Sequence, residues 1–119
     1  MPAFLLDCDP GHDDAVALLF AAGHLNLIAV TTVFGNTGIE NTSRNALAII
    51  ESAELDIPVS AGADRPILGE IKSAEAVHGK SGLDGANFPA PKRTVTSETA
   101  IETILRLSHE QEDLHIIAT

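Results

Sequence analysis

The sequence predicts an α/β fold, an open parallel sheet with helices on both faces, and two observations carry that prediction. Short apolar runs rich in β-branched residues alternate along the chain with stretches of helical periodicity, which is the pattern of strand–helix–strand units. The densest group of acids also falls at the first strand-to-helix junction, the place where wound sheets gather their functional groups.

The elements follow in order. Ala3-Phe4-Leu5-Leu6 reads as a buried strand entering a tight turn at Pro10-Gly11, and Asp13-Asp14-Ala15-Val16-Ala17-Leu18-Leu19 opens a helix that Gly23 is expected to stop. Leu25 to Val33 is a second strand, rich in β-branched residues, that ends at Phe34-Gly35-Asn36. Thr37 stands three residues before Glu40, the spacing of a capping box, and the helix from Ile39 to Ala53 carries apolar Ala46, Leu47, Ile49, Ile50 and Ala53. Ile57 to Ala61 is a short third strand closed by Gly62. Thr96 is expected to cap a helix whose Ile101, Ile104, Leu105 and Ser108 line one side, and Leu114 to Thr119 forms the fourth strand. Right-handed crossovers then give the strand order 3-2-1-4, a Rossmann-like arrangement in which the order reverses between the first and fourth strands. The acidic turn and Thr119 both sit at that crevice.

Between Gly62 and Thr94 the periodicity lapses into Gly, Pro and charged residues. A stretch this long without an element of its own is usually functional or disordered. Its centre, Val77-His78-Gly79-Lys80-Ser81-Gly82-Leu83-Asp84-Gly85, describes a mobile flap around a single histidine.

Composition excludes several classes of partner. Seventeen acids against seven Lys and Arg give a net charge of −10 over 119 residues, with no basic cluster, so neither a nucleic-acid backbone nor an anionic membrane surface is an expected partner. Four Phe and no Trp or Tyr leave few platforms for base stacking. The single cysteine, Cys8, cannot form an internal disulfide, no run reaches the ~20 apolar residues of a membrane span, and the start shows no secretory pattern, so the expectation is a cytoplasmic protein. Cys8 itself reads as core packing.

The chemistry concentrates in Asp7-Cys8-Asp9-Pro10-Gly11-His12-Asp13-Asp14, which holds four carboxylates in eight residues. Asp7 and Asp9 are two apart and would share a face of an extended strand, while Asp13 and Asp14 would lie in the first helical turn, where the dipole favours negative charge. Four converging carboxylates repel one another unless a cation joins them. Oxygen ligands alone suit Ca²⁺ or Mg²⁺ rather than zinc.

This stretch, from Leu6 to Ala15, resembles the amino-terminal signature of the inosine-uridine preferring nucleoside hydrolases, which cleave the N-glycosidic bond of ribonucleosides with a tightly held calcium ion. Thr32-Val33-Phe34-Gly35-Asn36 and Val77 to Leu83 are similar to two further family segments, in the same order. The resemblance implies that Asp9, Asp14 and the carbonyl of Thr119 hold Ca²⁺, with Asp9 also taking a proton from water. It implies that Asp13, Asn36 and His78 contact the nucleoside and that Asp7 supports the turn from behind. A homo-oligomer is implied for the full-length protein. His12 is expected to tune the turn rather than to catalyse, and Asn41, Arg44 and Asn45 to serve packing or the surface of the second helix.

The family's fourth strand leads into a turn whose first threonine Thr119 matches, and the resemblance therefore implies that residues 1–119 form the amino-terminal part of a single nucleoside hydrolase domain, inactive or weakly active alone. Two alternatives stand beside this reading. An apolar strand ending in Asp-x-Asp is also the mark of haloacid-dehalogenase-like, Mg²⁺-dependent phosphatases with a nucleophilic Asp, although Gly-Thr rather than Pro10-Gly11 usually follows there. The other is a metal-binding fragment without catalysis.

Overall fold

A computed structural model of the chain describes residues 1–69, 82–83 and 88–119. The elements are β1 (Ala3–Cys8), α1 (His12–His24), β2 (Leu27–Thr32), α2 (Ile39–Ser52), β3 (Val59–Ala61), α3 (Ala100–Glu110) and β4 (Leu114–Ala118). The four strands form one parallel sheet in the order β3-β2-β1-β4, as the alternation of elements predicts.

Alternate residues of the central strands supply two cores. On one face Leu6, Cys8, Val30 and Val59 meet Leu18 and Ala21 of α1 and Ala46, Leu47, Ile49 and Ile50 of α2. On the other, Leu5 and Ala29 pack on Leu107 of α3, with Ile104 and Leu114 beside them. Burying one such Leu or Ile stabilises the fold by about 2 kcal/mol relative to leaving it in water, so the larger cluster fixes α1 and α2 firmly over β1 and β2. That matters because β1 ends at the acidic turn and α1 begins on its far side.

Several local expectations need correction. Gly23 does not stop α1, which runs one residue further to His24 and is capped at Leu25. Thr37 makes no capping box: the N-cap of α2 is Gly38, and the Thr37 hydroxyl, fully buried, accepts instead from Asn41 Nδ2 at 3.1 Å. The capping box lies at Thr99 and Glu102 rather than at Thr96, with both arms formed, at 3.2 and 3.0 Å. Thr96 bonds Ser60 Oγ at 2.6 Å.

The inward face of α3 is also rotated by about one residue from the expected one. Ala100, Thr103 and Leu107 are buried, whereas Ile101 and Leu105 are 69% and 56% exposed and Ser108 is exposed. The reason is chemical. Thr103 can occupy the core because Ser60 Oγ lies 2.7 Å from its hydroxyl, and a purely apolar count overlooks a threonine satisfied in this way. Of the long loop, residues 70–81, His78 among them, and 84–87 lie outside the described residues.

Candidate active site at the end of the sheet

β1 stops at Cys8, so Asp9 starts the turn instead of continuing the strand, and the expected shared face of Asp7 and Asp9 is lost. The two acids bind different partners. Asp7 Oδ1 accepts from the Thr31 hydroxyl on β2 at 2.6 Å, and the Asp7 carbonyl accepts from Thr119 N at 3.0 Å. Asp7 aligns with Thr31 on one side and Ala118 on the other, so it ties three strands together at the mouth of the site. The bond to Thr119 extends the β1–β4 ladder by one residue and brings Thr119 alongside the start of the turn.

Asp9 is gripped more closely. Its Oδ2 accepts from the Asn36 backbone N at 2.8 Å, and its carbonyl accepts from Asn36 Nδ2 at 2.7 Å. Gly35 packs against the same carboxylate so tightly that a methyl group there would overlap Asp9 Oδ2. The glycine is therefore a steric requirement of the site, which the sequence showed only as part of a motif.

Asp14 lies in the first turn of α1, is 1% exposed, and its Oδ2 accepts from the Asp9 backbone N at 3.2 Å. The N-cap of α1, Gly11, has no side chain to offer, so Asp14 reaches back to a free N–H as a capping-box acid would. The positive end of the helix dipole favours its charge. Asp13, one residue earlier, is exposed on the same turn, as is His12.

The two carboxyl groups of Asp9 and Asp14 are close enough to share a hydrogen bond. Loss of water around Asp9, reinforced by that bond and by the Asp14 charge, pushes the Asp9 carboxyl up to about 6, against the pull of the Asn36 N–H. Burial raises the Cys8 thiol beyond any physiological titration, with the neighbouring acids adding to it, so Cys8 stays a protonated core residue. Among the described residues no Lys or Arg bridges Asp9 or Asp14.

The expected convergence of four acids thus narrows to two. Among the described residues, no group of three or more His, Cys, Asp or Glu side chains is arranged to hold a metal. What remains is a pair of carboxylates that repel unless protonated or bridged, at the carboxyl end of a parallel sheet, with Thr119 beside it. That all-oxygen donor set fits a hard divalent cation, which would take up the backbone carbonyl and water as further ligands. Asn36 is present as expected, but its amide nitrogen is engaged on Asp9. Asn45, taken from the sequence as a packing residue, donates from Nδ2 to the Pro10 carbonyl at 3.1 Å and so belongs to the turn. No sequence signal joins it to Pro10, 35 residues away.

Comparison with known proteins bears on this arrangement. The family model described as inosine-uridine preferring nucleoside hydrolase matches residues 4–119. The pyrimidine-specific ribonucleoside hydrolase RihA of Shewanella baltica is 48% identical over 101 residues, covering 82% of this chain and 32% of that protein. The purine-preferring ribonucleoside hydrolase of Gardnerella vaginalis superposes with a TM-score of 0.86 at 26% identity, over 98% of this chain and 40% of the other. A solved inosine-guanosine nucleoside hydrolase gives 0.88 at 27% identity, over 99% and 39%. The chain spans about a third of the length of the curated relatives it matches.

Proposed function

The chain belongs to the inosine-uridine preferring nucleoside hydrolase family, and from that membership we propose that residues 1–119 carry the acidic, ribose-facing part of a calcium-dependent site that hydrolyses ribonucleosides to ribose and free base. The observation that carries the proposal is the Asp9–Asp14 contact, two carboxylates held together at the crevice of the sheet with no Lys or Arg bridging them among the described residues. Metal dependence is general in the family; that the ion is Ca²⁺ is our reading, supported by oxygen donors without thiolate or imidazole.

In this reading Asp9, Asp14 and the Thr119 carbonyl hold the ion. When bound, calcium supplies the positive charge that orients two ribose hydroxyls and makes water more acidic. Asp9 accepts a proton from the attacking water as the water oxygen adds to C1′, while the C1′–N bond breaks with its electron pair going to the base nitrogen, which takes up a proton from solvent. The Asn36 N–H on Asp9 Oδ2 keeps that carboxylate aimed while it gains the proton. Asp13, exposed at the start of α1, hydrogen-bonds a ribose hydroxyl, and the negative charge of the turn stabilises the positive charge that grows on the sugar ring. Asn36 offers its remaining amide oxygen to the ribose, and His78, outside the described residues, is proposed as a further nucleoside contact. Asp7 steadies the turn through Thr31 and Thr119.

The relatives' names divide over the base, pyrimidine-specific in one and purine-preferring in another, while the fold of this segment is shared. That division supports a segment that handles the ribose and the ion and leaves base choice to other parts of the enzyme. The phosphatase alternative would need Asp7 as its nucleophile, yet Asp7 Oδ1 is bound to the Thr31 hydroxyl at 2.6 Å. We infer a cytoplasmic setting, which the unpaired, buried Cys8 favours, and among the described residues no helix is long and apolar enough to cross a membrane. Exposed Phe20, Ile101 and Ile116 support a homo-oligomer, to be checked by sedimentation.

The test is calcium titration of the 119-residue chain and hydrolysis of inosine and uridine by it, beside a full-length relative. Calcium is expected to bind the chain and not its Asp9→Asn form, with turnover at least a hundredfold below the relative. Calcium binding unchanged by Asp9→Asn would overturn the assignment of the ion to this pair.

A further inference from the structure

Two consecutive carbonyls of the acidic turn are each held from outside by an asparagine amide. Asn36 Nδ2, in the β2–α2 loop, donates to the Asp9 carbonyl at 2.7 Å, and Asn45 Nδ2, in the middle of α2, donates to the Pro10 carbonyl at 3.1 Å. Proline has no N–H, so the turn can close few backbone bonds of its own and depends on such clamps. Asn45 is only 8% exposed, which makes its bond to Pro10 a shielded one.

Gly82 packs on the same bond. Its φ of +87° suits glycine, and a Cβ there would stand 3.0 Å from Thr37 Cγ2, 3.1 Å from Asn45 Nδ2 and 3.2 Å from the Pro10 carbonyl. Leu83, 5% exposed, anchors this contact in the core over α1 and α2.

The direction of the Pro10 carbonyl sets the plane of the Pro10–Gly11 peptide. Gly11 in turn accepts the first helical bond of α1, from Ala15 N at 3.0 Å, and Asp14 rides in that turn. Turning the peptide would therefore carry Asp14 away from Asp9. We propose that Asn45 is a positioning residue that acts through the Pro10 carbonyl to fix the spacing of Asp9 and Asp14, and so sets the affinity of the pair for a divalent cation. Only the identity of the ligand rests on the function proposed above.

The experiment compares Asn45→Asp, Asn45→Gln, Gly82→Ala and the helix-weakening control Ala48→Gly. Asn45→Asp keeps the shape but sets a second acceptor against the Pro10 carbonyl, whereas Asn45→Gln keeps a donor. Two quantities are read: hydrogen exchange of the Asp9 and Asn36 amides in the metal-free chain, and calcium affinity by calorimetry. Asn45→Asp and Gly82→Ala are expected to speed exchange at both amides at least tenfold and to weaken calcium about tenfold. Asn45→Gln should recover most of the loss, and Ala48→Gly should lower the melting temperature while moving neither quantity. Should Asn45→Asp fail to fold, Gly82→Ala alone decides. The proposal is overturned if the folded variants stay within twofold of the parent in exchange, or if Ala48→Gly moves it equally. A parent chain that binds no calcium, yet shows the exchange response, would sink the metal reading and leave the clamp standing.

Discussion

Two polar networks flank the sheet, and they are balanced in opposite ways. Beside α3, Ser60, Thr96 and Thr103 share hydroxyl hydrogen bonds, Thr103 donates to Glu98, and Arg106 grips Glu98 and then Glu110 at 2.9 and 3.0 Å. Glu98 and Glu110 share the Arg106 cation, and its guanidinium holds the Glu98 carboxyl below its ordinary range. At the end of β1 the reverse holds: among the described residues no Lys or Arg bridges Asp9 or Asp14, and loss of water around Asp9, with Asp14 adding to it, pushes its carboxyl up to about 6. A network that carries its own cation serves the fold. The other holds a half-buried Asp9 against Asn36, Gly35 and the first turn of α1 with no Lys or Arg on it among the described residues, and the proposed ion site rests on that difference.

The contrast breaks most sharply at Gly35. Alanine there must push the Asp9 carboxylate out of its place against Asn36, because the added methyl and Asp9 Oδ2 cannot occupy the same space. Calcium affinity should fall tenfold or more, equivalent to at least about 1.4 kcal/mol, while circular dichroism keeps the α/β signature. Undiminished affinity in Gly35→Ala would mean that the ion does not depend on Asp9 where it stands.

How far the sequence reveals each network follows from the reach of its patterns. Strand order and the acidic turn were legible because alternation and adjacency are local properties, and the turn and Thr119 lie together at the carboxyl end of the sheet. The partners were not legible. Thr31 on Asp7, Gly35 under Asp9 and Asn45 on Pro10 are joined across 24 to 35 residues by hydrogen bonds and contacts that only the fold creates. Periodicity also misjudged Thr103, since a hydroxyl satisfied by Ser60 is as much at home in the core as a methyl group. Counting acids overestimated the cluster for a related reason: Asp7 was spent on the sheet and Asp13 on the helix surface.

A second way to sharpen the comparison is pH. An acid whose folded pKa is raised binds its proton more tightly in the folded chain, so its contribution favours folding at low pH and is lost as pH rises. For Asp9 that loss runs from near 3.8 to about 6. In the metal-free chain, Asp9→Asn should therefore gain melting temperature relative to the parent between pH 4 and pH 7, with the gap closing below pH 4. Excess calcium should remove the gap from the other side, by stabilising the parent alone. Since proton and ion compete for one carboxylate, calcium affinity should also fall as pH drops below about 6. A gap independent of pH would mean that burial beside Asp14 does not raise the Asp9 carboxyl in the folded chain.

The smallest effect is expected in the balanced network, and its smallness is the point. Glu98 and Arg106 are exposed enough for water and salt to screen their attraction, and exposed pairs contribute about 0–1 kcal/mol. Glu98→Gln keeps an acceptor for the Thr103 hydroxyl and should lower the melting temperature by no more than a few degrees, with calcium affinity unchanged. The sign with pH should also be opposite to that of Asp9, because an acid with a lowered pKa contributes stability above its ordinary range and loses it as pH falls. Melting curves of parent and Glu98→Gln chains from pH 3 to pH 7 check this, the parent losing its small advantage toward the acid end. If Glu98→Gln instead altered calcium binding, the two networks would be one coupled system, and the division between a fold-serving and a ligand-serving set of charges would fail.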